Sequence, residues 1–294
     1  MHCQGLIVSS FGRQFIVETA TNERYNAVTR GKKTEYVVGD RVMLDIINQQ
    51  QAQISELIPR RNLVYRSDRN RSKIIASNVD QIIIVCAIKP NFNRGFLDSC
   101  LLSAESSGIK PLIVINKIDL PESLAFSAEI IQLYQHTLGY PVITLSATHD
   151  CHELQPYLLN QSSLLIGQSG MGKSTITNAI CPAANTRIGD ITKYETSGAH
   201  TTTNATLYHI DTNSQLIDCP GLQEFGLFHI ELDQLAEYFP EMRNHLGQCK
   251  FMNCRHLQEP QCLIRQLVED GTIDTARYAF YQRIAAALKT KKLY

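Results

Sequence analysis

The sequence has no net charge: 28 Lys and Arg balance 28 Asp and Glu over 294 residues. Taken whole, that gives no sign of a polyanionic partner. No apolar run approaches the ~20 residues a bilayer span needs. Ile82–Ile88 is among the longest, and no membrane association is expected. The opening Met1-His2-Cys3-Gln4 lacks a charged segment followed by an apolar one, so no secretory signal is expected. Internal repeats and low-complexity tracts are also missing, which excludes a repeat architecture. What remains is an ordinary globular balance, 44% hydrophobic and 19% charged, in a length that suits two or three domains.

Charge is unevenly spread. Residues 1–73 carry 12 basic and 7 acidic residues, residues 74–230 carry 7 and 13, and residues 231–294 carry 9 and 8. The basic excess peaks at Arg60, Arg61, Arg66, Arg69, Arg71 and Lys73, opposed only by Asp68. Such a run suits either a phosphate backbone or a solvated linker. The nine cysteines are an odd number. Six are scattered and three, Cys249, Cys254 and Cys262, cluster. That pattern implies reduced thiols and a metal site in a cytoplasmic compartment.

Hydrophobic period divides the chain. Gly5–Val8, Arg13–Glu18, Asp40–Asp45 and Ala52–Leu57 are short β-rich runs separated by turn residues, and together they predict a small barrel. Periodicity leaves an OB-type and an SH3-like barrel equally open. Gln81–Ile88, Pro111–Ile115 and Pro141–Leu145 are apolar without alternation, as in strands buried on both faces of a parallel sheet. Helical stretches over 97–107 and 122–138 lie between them. Strand at 164–166, helix at 173–180 and strands at 205–210 and 215–217 extend the alternation. The expected class is α/β with helices on both faces. Residues 272–292 follow helical spacing in a mostly helical C-terminal segment.

Gly167-Gln168-Ser169-Gly170-Met171-Gly172-Lys173-Ser174 matches G-x-x-x-x-G-K-S between a predicted strand and a predicted helix. Its glycines let backbone N–H groups turn toward phosphate oxygens, helped by the helix N-terminus. Lys173 is expected at the β- and γ-phosphates and the Ser174 hydroxyl on Mg²⁺. Asn116-Lys117-Ile118-Asp119 follows a buried strand. An Asp there can accept both N1–H and the 2-amino group of guanine. Adenine offers neither, so the selectivity rests on an unpaired carboxylate. Asp218-Cys219-Pro220-Gly221 ends another strand, with Asp218 suited to a water-mediated Mg²⁺ contact and the Gly221 N–H to the γ-phosphate. Ser146-Ala147 ends a further strand and supports the base. His200-Thr201-Thr202-Thr203 lies between the P-loop helix and Asp218, where Thr202 is the favoured completion of the Mg²⁺ shell. Leu222 stands where many small GTPases place a water-orienting Gln. His200 is therefore the candidate to orient the attacking water. The nucleotide set is thus Asn116, Lys117, Ile118, Asp119, Ser146, Ala147, Gly167 through Ser174, Thr175, Asp218 and Gly221. Lys173, His200 and Thr202 are the catalytic candidates.

Cys249-x₄-Cys254-x-His256-x₅-Cys262 gathers three thiolates and one imidazole, the donor set of a closed, structural Zn²⁺ site. One Zn²⁺ is expected there, with no catalytic role.

The order of these pieces is unusual. Most GTPases place the P-loop first and the Asn-Lys-x-Asp and Ser-Ala elements last, whereas here Asn116–Asp119 and Ser146-Ala147 precede Gly167–Ser174. A barrel, then a circularly permuted GTPase, then a cysteine cluster resembles the RsgA family over essentially the whole chain. The resemblance rests on Asn116–Asp119, Gly167–Ser174, Gly198–Thr203, Asp218–Gly221 and the cysteine cluster. It implies an OB-fold RNA-binding barrel at 1–67, a permuted GTPase domain at 68–228 and a helical zinc-binding domain at 229–294. It also implies GTP hydrolysis to GDP during late maturation of the small (30S) ribosomal subunit, with 16S rRNA as partner, and zinc on those four positions. A monomer is expected. That family usually carries a basic residue before the switch histidine, where this chain has Ala199. Two rivals stand beside this reading: a GTP-gated RNA-binding switch with hydrolysis only as reset, and a P-loop kinase of a small molecule. Asn116–Asp119 argues against the kinase, since kinases mostly use ATP.

Overall fold

The computed structural model describes residues 2–12, 14–29, 35–68, 71–182, 205–219, 227 and 229–291, without the side chains of 67–72 and 291. His200, Thr202 and Gly221 lie outside the described residues.

The N-terminal strands are β1 (His2–Phe11), β2 (Gln14–Thr19), β3 (Arg24–Thr29), β4 (Arg41–Ile46) and β5 (Gln51–Leu57). β1 pairs antiparallel with β2 and with β4, β2 with β3, and β4 with β5. β3 and β5 pair in parallel. This closed order is the OB-type barrel and removes the SH3-like alternative. Alternation directs Ile7, Phe15, Val17, Tyr25, Ala27, Val42, Leu44, Ala52 and Ile54 into one core. β3 was not expected from the sequence. Only Tyr25 and Ala27 of its residues are buried, too brief a period-2 signal to stand out.

The basic run is not a linker. β6 (Leu63–Asp68) and β7 (Arg71–Ser77) form an antiparallel hairpin that straddles the boundary expected at 67/68. Two of its arginines are already paired within the chain. Arg60 donates from Nε and Nη2 to Asp40, both at 2.7 Å. Arg61 Nη1 donates to Asp80 at 2.7 Å. Asp40 is fully buried and also accepts from Ser77 Oγ at 2.6 Å and Val37 N at 2.8 Å. Gly39 beside it has φ +91°. A Cβ there would collide with the Ser77 carbonyl, so only glycine lets barrel and hairpin approach this closely.

The central sheet adds β8 (Gln81–Cys86), β9 (Lys110–Ile115), β10 (Val142–Thr144), β11 (Ser162–Gly167), β12 (Thr206–His209) and β13 (Gln215–Asp218) in the order β10-β9-β8-β11-β13-β12. All neighbours pair in parallel except β12 with β13. β8 shows why its run lacks alternation. Ile82, Ile84 and Cys86 enter one core and Ile83, Val85 and Ala87 the other. The first core lies under α1 (Arg94–Ser106) and α2 (Ser123–Ile130), the second under α3 (Gln155–Leu158) and α4 (Lys173–Ile180). The expected helix over 122–138 widens into a π-helix at Ile131–Thr137, which carries buried Tyr134. β12 also pairs with β1 through Ser9 and Thr206, so barrel and sheet are continuous.

The C-terminal segment contributes α5 (Pro240–Arg243), α6 (Leu263–Glu269) and α7 (Thr275–Lys291). α7 docks on the sheet domain through Arg277, which is 2% exposed. Its guanidinium donates to Asp98 Oδ1 on α1 at 2.9 Å and to Glu241 on α5 at 2.7 and 3.2 Å. Tyr134 donates to the same Asp98 oxygen at 2.8 Å, and the Phe239 ring lies 4.9 Å from the guanidinium carbon. No described helix is long and apolar enough to cross a membrane.

Arg277→Met should destabilise the protein by about 3–5 kcal/mol, because Asp98 and Glu241 would stay buried without a counter-charge. The urea midpoint should fall accordingly. An unchanged midpoint would show that the three-way contact does not hold α7 in place.

Candidate nucleotide site and metal centre

The parallel pairing places the ends of β9, β10, β11 and β13 on one edge, and the expected nucleotide residues follow those ends. This is the edge at which open α/β sheets bind ligands. Asn116 is buried and joins three loops. Its Nδ2 donates to the Met171 carbonyl at 2.8 Å. Its Oδ1 accepts from Lys117 N at 2.8 Å and Ala147 N at 2.9 Å. Lys117 Nζ reaches the carbonyls of Gly170 at 2.6 Å and Lys89 at 3.0 Å. A Cβ on Gly172, where φ is +96°, would collide with Asn116 Nδ2. The glycine therefore serves the loop-to-loop contact as well as the turn.

Lys173 Nζ donates to Gly167 O at 2.7 Å and Gln168 O at 3.0 Å. Burial holds its pKa below the ordinary value, partly offset by the Asp218 charge. Ser174 and Thr175 are exposed on the first turn of α4, as is Ser169 on the loop, while Met171 is buried. Burial raises the Asp218 carboxyl above the usual range, with Lys173 opposing it. Asp218 Oδ2 accepts from Thr177 Oγ1 at 3.3 Å. Asp218 Oδ1 is buried with no hydrogen-bond partner among the described residues. A buried, unpaired carboxylate oxygen is costly, and a hydrated Mg²⁺ is a fitting occupant beside it.

At the base end, Asp119 and Ile118 are exposed. Ser146 Oγ donates to Asp119 Oδ1 at 2.5 Å, and this hydrogen bond holds the carboxyl below its usual pKa. Asp119 thus presents an ionised, exposed acceptor at this edge. Sequence reasoning missed three supports: Thr177 under Asp218, the Asn93 N–H donated to Gln168 Oε1 at 3.1 Å, and Pro90 against Gly170. None belongs to a motif, so only the folded chain brings them to the site.

The four expected zinc ligands converge, with ligand atoms all within 4.8 Å of one another. Cys249 Sγ lies 3.9 Å from Cys262 Sγ and 3.5 Å from His256 Nδ1, and Cys262 Sγ lies 3.4 Å from that nitrogen. A tetrahedron with Zn–S of about 2.3 Å has S···S edges of about 3.8 Å, so the donors fit zinc by both type and spacing. Burial keeps the His256 imidazole below its ordinary pKa, which favours the neutral form that ligates. The loop is held from outside. Glu259 accepts from the N–H groups of Arg255, Leu257 and Gln258. Tyr278 and Tyr281 of α7 donate to the carbonyls of His256 at 2.8 Å and Arg255 at 2.7 Å.

Comparison with known proteins agrees with this geometry. The model of the RsgA GTPase family matches residues 57–228. The chain is 45% identical to the small ribosomal subunit biogenesis GTPase RsgA of Neisseria meningitidis serogroup C, covering 96% of this chain and 91% of that protein. It is 42% identical to the protein of the same name from Nitrosospira multiformis, over 99% and 92%. Among solved structures it resembles YjeQ from Thermotoga maritima, with TM-score 0.75 and 30% identity over 98% of this chain and 99% of that one. It also resembles YloQ, a circularly permuted GTPase, with TM-score 0.71 and 27% identity over 99% and 96%.

Two outcomes follow from the site. Asp119→Asn exchanges one acceptor for a donor, so binding should shift from guanosine to xanthosine nucleotides. GTP affinity equal to the parent's would show that Asp119 does not read the base. Protein purified under reducing conditions without chelator should carry one zinc per chain, and Cys254→Ala should lose it and lower the melting temperature. Metal analysis well below one equivalent would remove the site.

Proposed function

The chain belongs to the RsgA GTPase family, and from that premise we propose that it hydrolyses GTP to GDP and phosphate as a late maturation factor of the small ribosomal subunit, binding its 16S rRNA. We place this work in the cytoplasm, by a monomer. The gathering of Cys249, Cys254 and Cys262 around His256 as metal donors supports a reducing compartment. The observation that carries the reading is Asn116, whose one amide ties the guanine loop to both the P-loop and Ala147. Base and phosphates are thereby presented to one rigid edge.

Each residue has a chemical task in this proposal. Asp119, set by Ser146, accepts from N1–H and the 2-amino group of guanine. The Lys117 stem lies along the base. The amides of Gly167 to Ser174 and the Lys173 ammonium hold the β- and γ-phosphates and stabilise charge as it develops. Ser174, Thr202 and, through water, Asp218 would hold Mg²⁺, which supplies charge neutralisation at the phosphate oxygens when bound. His200 orients the attacking water and the Gly221 N–H meets the γ-phosphate. Zinc on Cys249, Cys254, His256 and Cys262 stabilises the fold of the C-terminal loop and takes no part in hydrolysis.

Phosphate release from GTP should rise when small ribosomal subunits are added. His200→Ala should lower the stimulated rate by about 10²-fold while nucleotide affinity stays near the parent's. Binding to the subunit should be tighter with a GTP analogue than with GDP, and weaker as salt rises. Turnover unaffected by subunits would favour hydrolysis as a mere reset, and phosphate transfer to a small acceptor in place of water would favour the kinase.

A further inference from the structure

Ser146 Oγ has more neighbours than its hydrogen bond to Asp119 requires. His149 Nδ1 lies 3.0 Å away and Thr148 Oγ1 3.2 Å away. Those two atoms are themselves 3.2 Å apart. The arrangement is held by the backbone. The N–H groups of His149 and Asp150 both donate to the Ser146 carbonyl, at 2.8 and 2.9 Å, so the turn after β10 folds the imidazole back over the serine.

A proton inventory assigns the roles. Asp119 is an ionised acceptor, so the single Ser146 proton goes to it. The Ser146 oxygen then has lone pairs to fill. With the proton on Nδ1, His149 donates one hydrogen bond to it at the shorter of the two available distances. If Nδ1 were bare it would compete with Asp119 for the Ser146 proton and turn the hydroxyl away. We propose that His149 is a positioning residue for base selection: its Nδ1–H fixes the Ser146 hydroxyl, which in turn fixes the Asp119 carboxylate toward guanine. This rests on the reading of Asp119 as the guanine acceptor. His149 touches neither base nor phosphate in this scheme.

The test compares binding of GDP, IDP and ADP to the full chain with its zinc, by calorimetry or fluorescent-nucleotide competition. IDP lacks the 2-amino group, so the GDP-to-IDP ratio reports how well the carboxylate is aimed. The imidazole is exposed, so substitutions there leave the core intact. His149→Ala removes one modest hydrogen bond and should weaken GDP binding about 3–10-fold. The GDP-to-IDP ratio should fall with it, and ADP binding should not change. His149→Asn, whose amide can donate from nearly the same place, should recover the parent's ratio. In a Ser146→Ala background, His149→Ala should have no further effect, because the relay is already cut. Thr148→Val should match the parent.

Parental GDP affinity and ratio in His149→Ala overturn the proposal, provided Asp119→Asn in the same assay loses GDP. If Asp119→Asn also keeps GDP, the reading of Asp119 falls and the proposal with it. A loss in Thr148→Val in place of His149→Ala overturns the assignment to His149. Additive losses in the Ser146→Ala background overturn the relay.

Discussion

The guanidinium of Arg277 is the contact on which the C-terminal half depends. It is buried between two carboxylates on different helices, Asp98 and Glu241, 179 and 36 positions away in sequence. Such a network contributes little net stability over a well-packed apolar one, since desolvation offsets most of the attraction. What it supplies is a single geometry. An apolar contact can slide, whereas a fork that must meet Asp98 while Tyr134 meets the same oxygen admits one docking of α7. Tyr278, the next residue, and Tyr281, one turn further along that helix, donate to the carbonyls of His256 and Arg255. The metal loop is thus fixed to α7, α7 to α1, and α1 to the sheet that carries the nucleotide loops.

At the other end Asp40 acts in the same way with a different cost. Four hydrogen bonds converge on one fully buried carboxylate. They bind the barrel to the chain just after it and to the end of β7. The basic run read from the sequence is therefore divided by use. Arg60 pairs with the buried Asp40, and the exposed Arg61 pairs with Asp80 of the same chain. Counting charges along the chain overstates what such a run can offer to a phosphate backbone, because the count is blind to carboxylates brought in from elsewhere.

How much was legible follows from how local each signal is. The P-loop, Asn116–Asp119 and the Cys249/Cys254/His256/Cys262 set are short segments of fixed spacing, so their grouping in the fold could be anticipated from sequence. β8, β9 and β11 were legible because burial on both faces leaves an uninterrupted apolar run. The kind of barrel was not, because strand periodicity says which face is buried and nothing about which strand pairs with which. The parallel pairing of β3 with β5 decides it, and β3 left too short a trace to be found. Nor could the hairpin at 63–77 be anticipated, since its charged residues outweigh its alternation. Asp98–Arg277 and Asp40–Arg60 join residues far apart in sequence. Each partner, seen alone, is an ordinary surface charge.

These joints change what the permuted order does mechanically. β12 begins four positions after Thr202 in sequence and pairs with β13, the strand that ends at Asp218. The same strand pairs with barrel strand β1 at Thr206. Its last residue, His209, lies 2.6 Å from Glu18 of β2. The contact to His209, with help from Arg24 and against burial, holds Glu18 down to a pKa of about 2. β12 therefore belongs to both bodies at once. A displacement of it along the sheet must either shear the ladder to β13, break the pairing with β1, or carry the barrel along. The ladder to β13, the Ser9–Thr206 pairing and the half-buried His209–Glu18 contact all oppose the first two. β12 is the last strand of the central sheet, and its pairing with β1 at Thr206 keeps that side from being a wholly free edge.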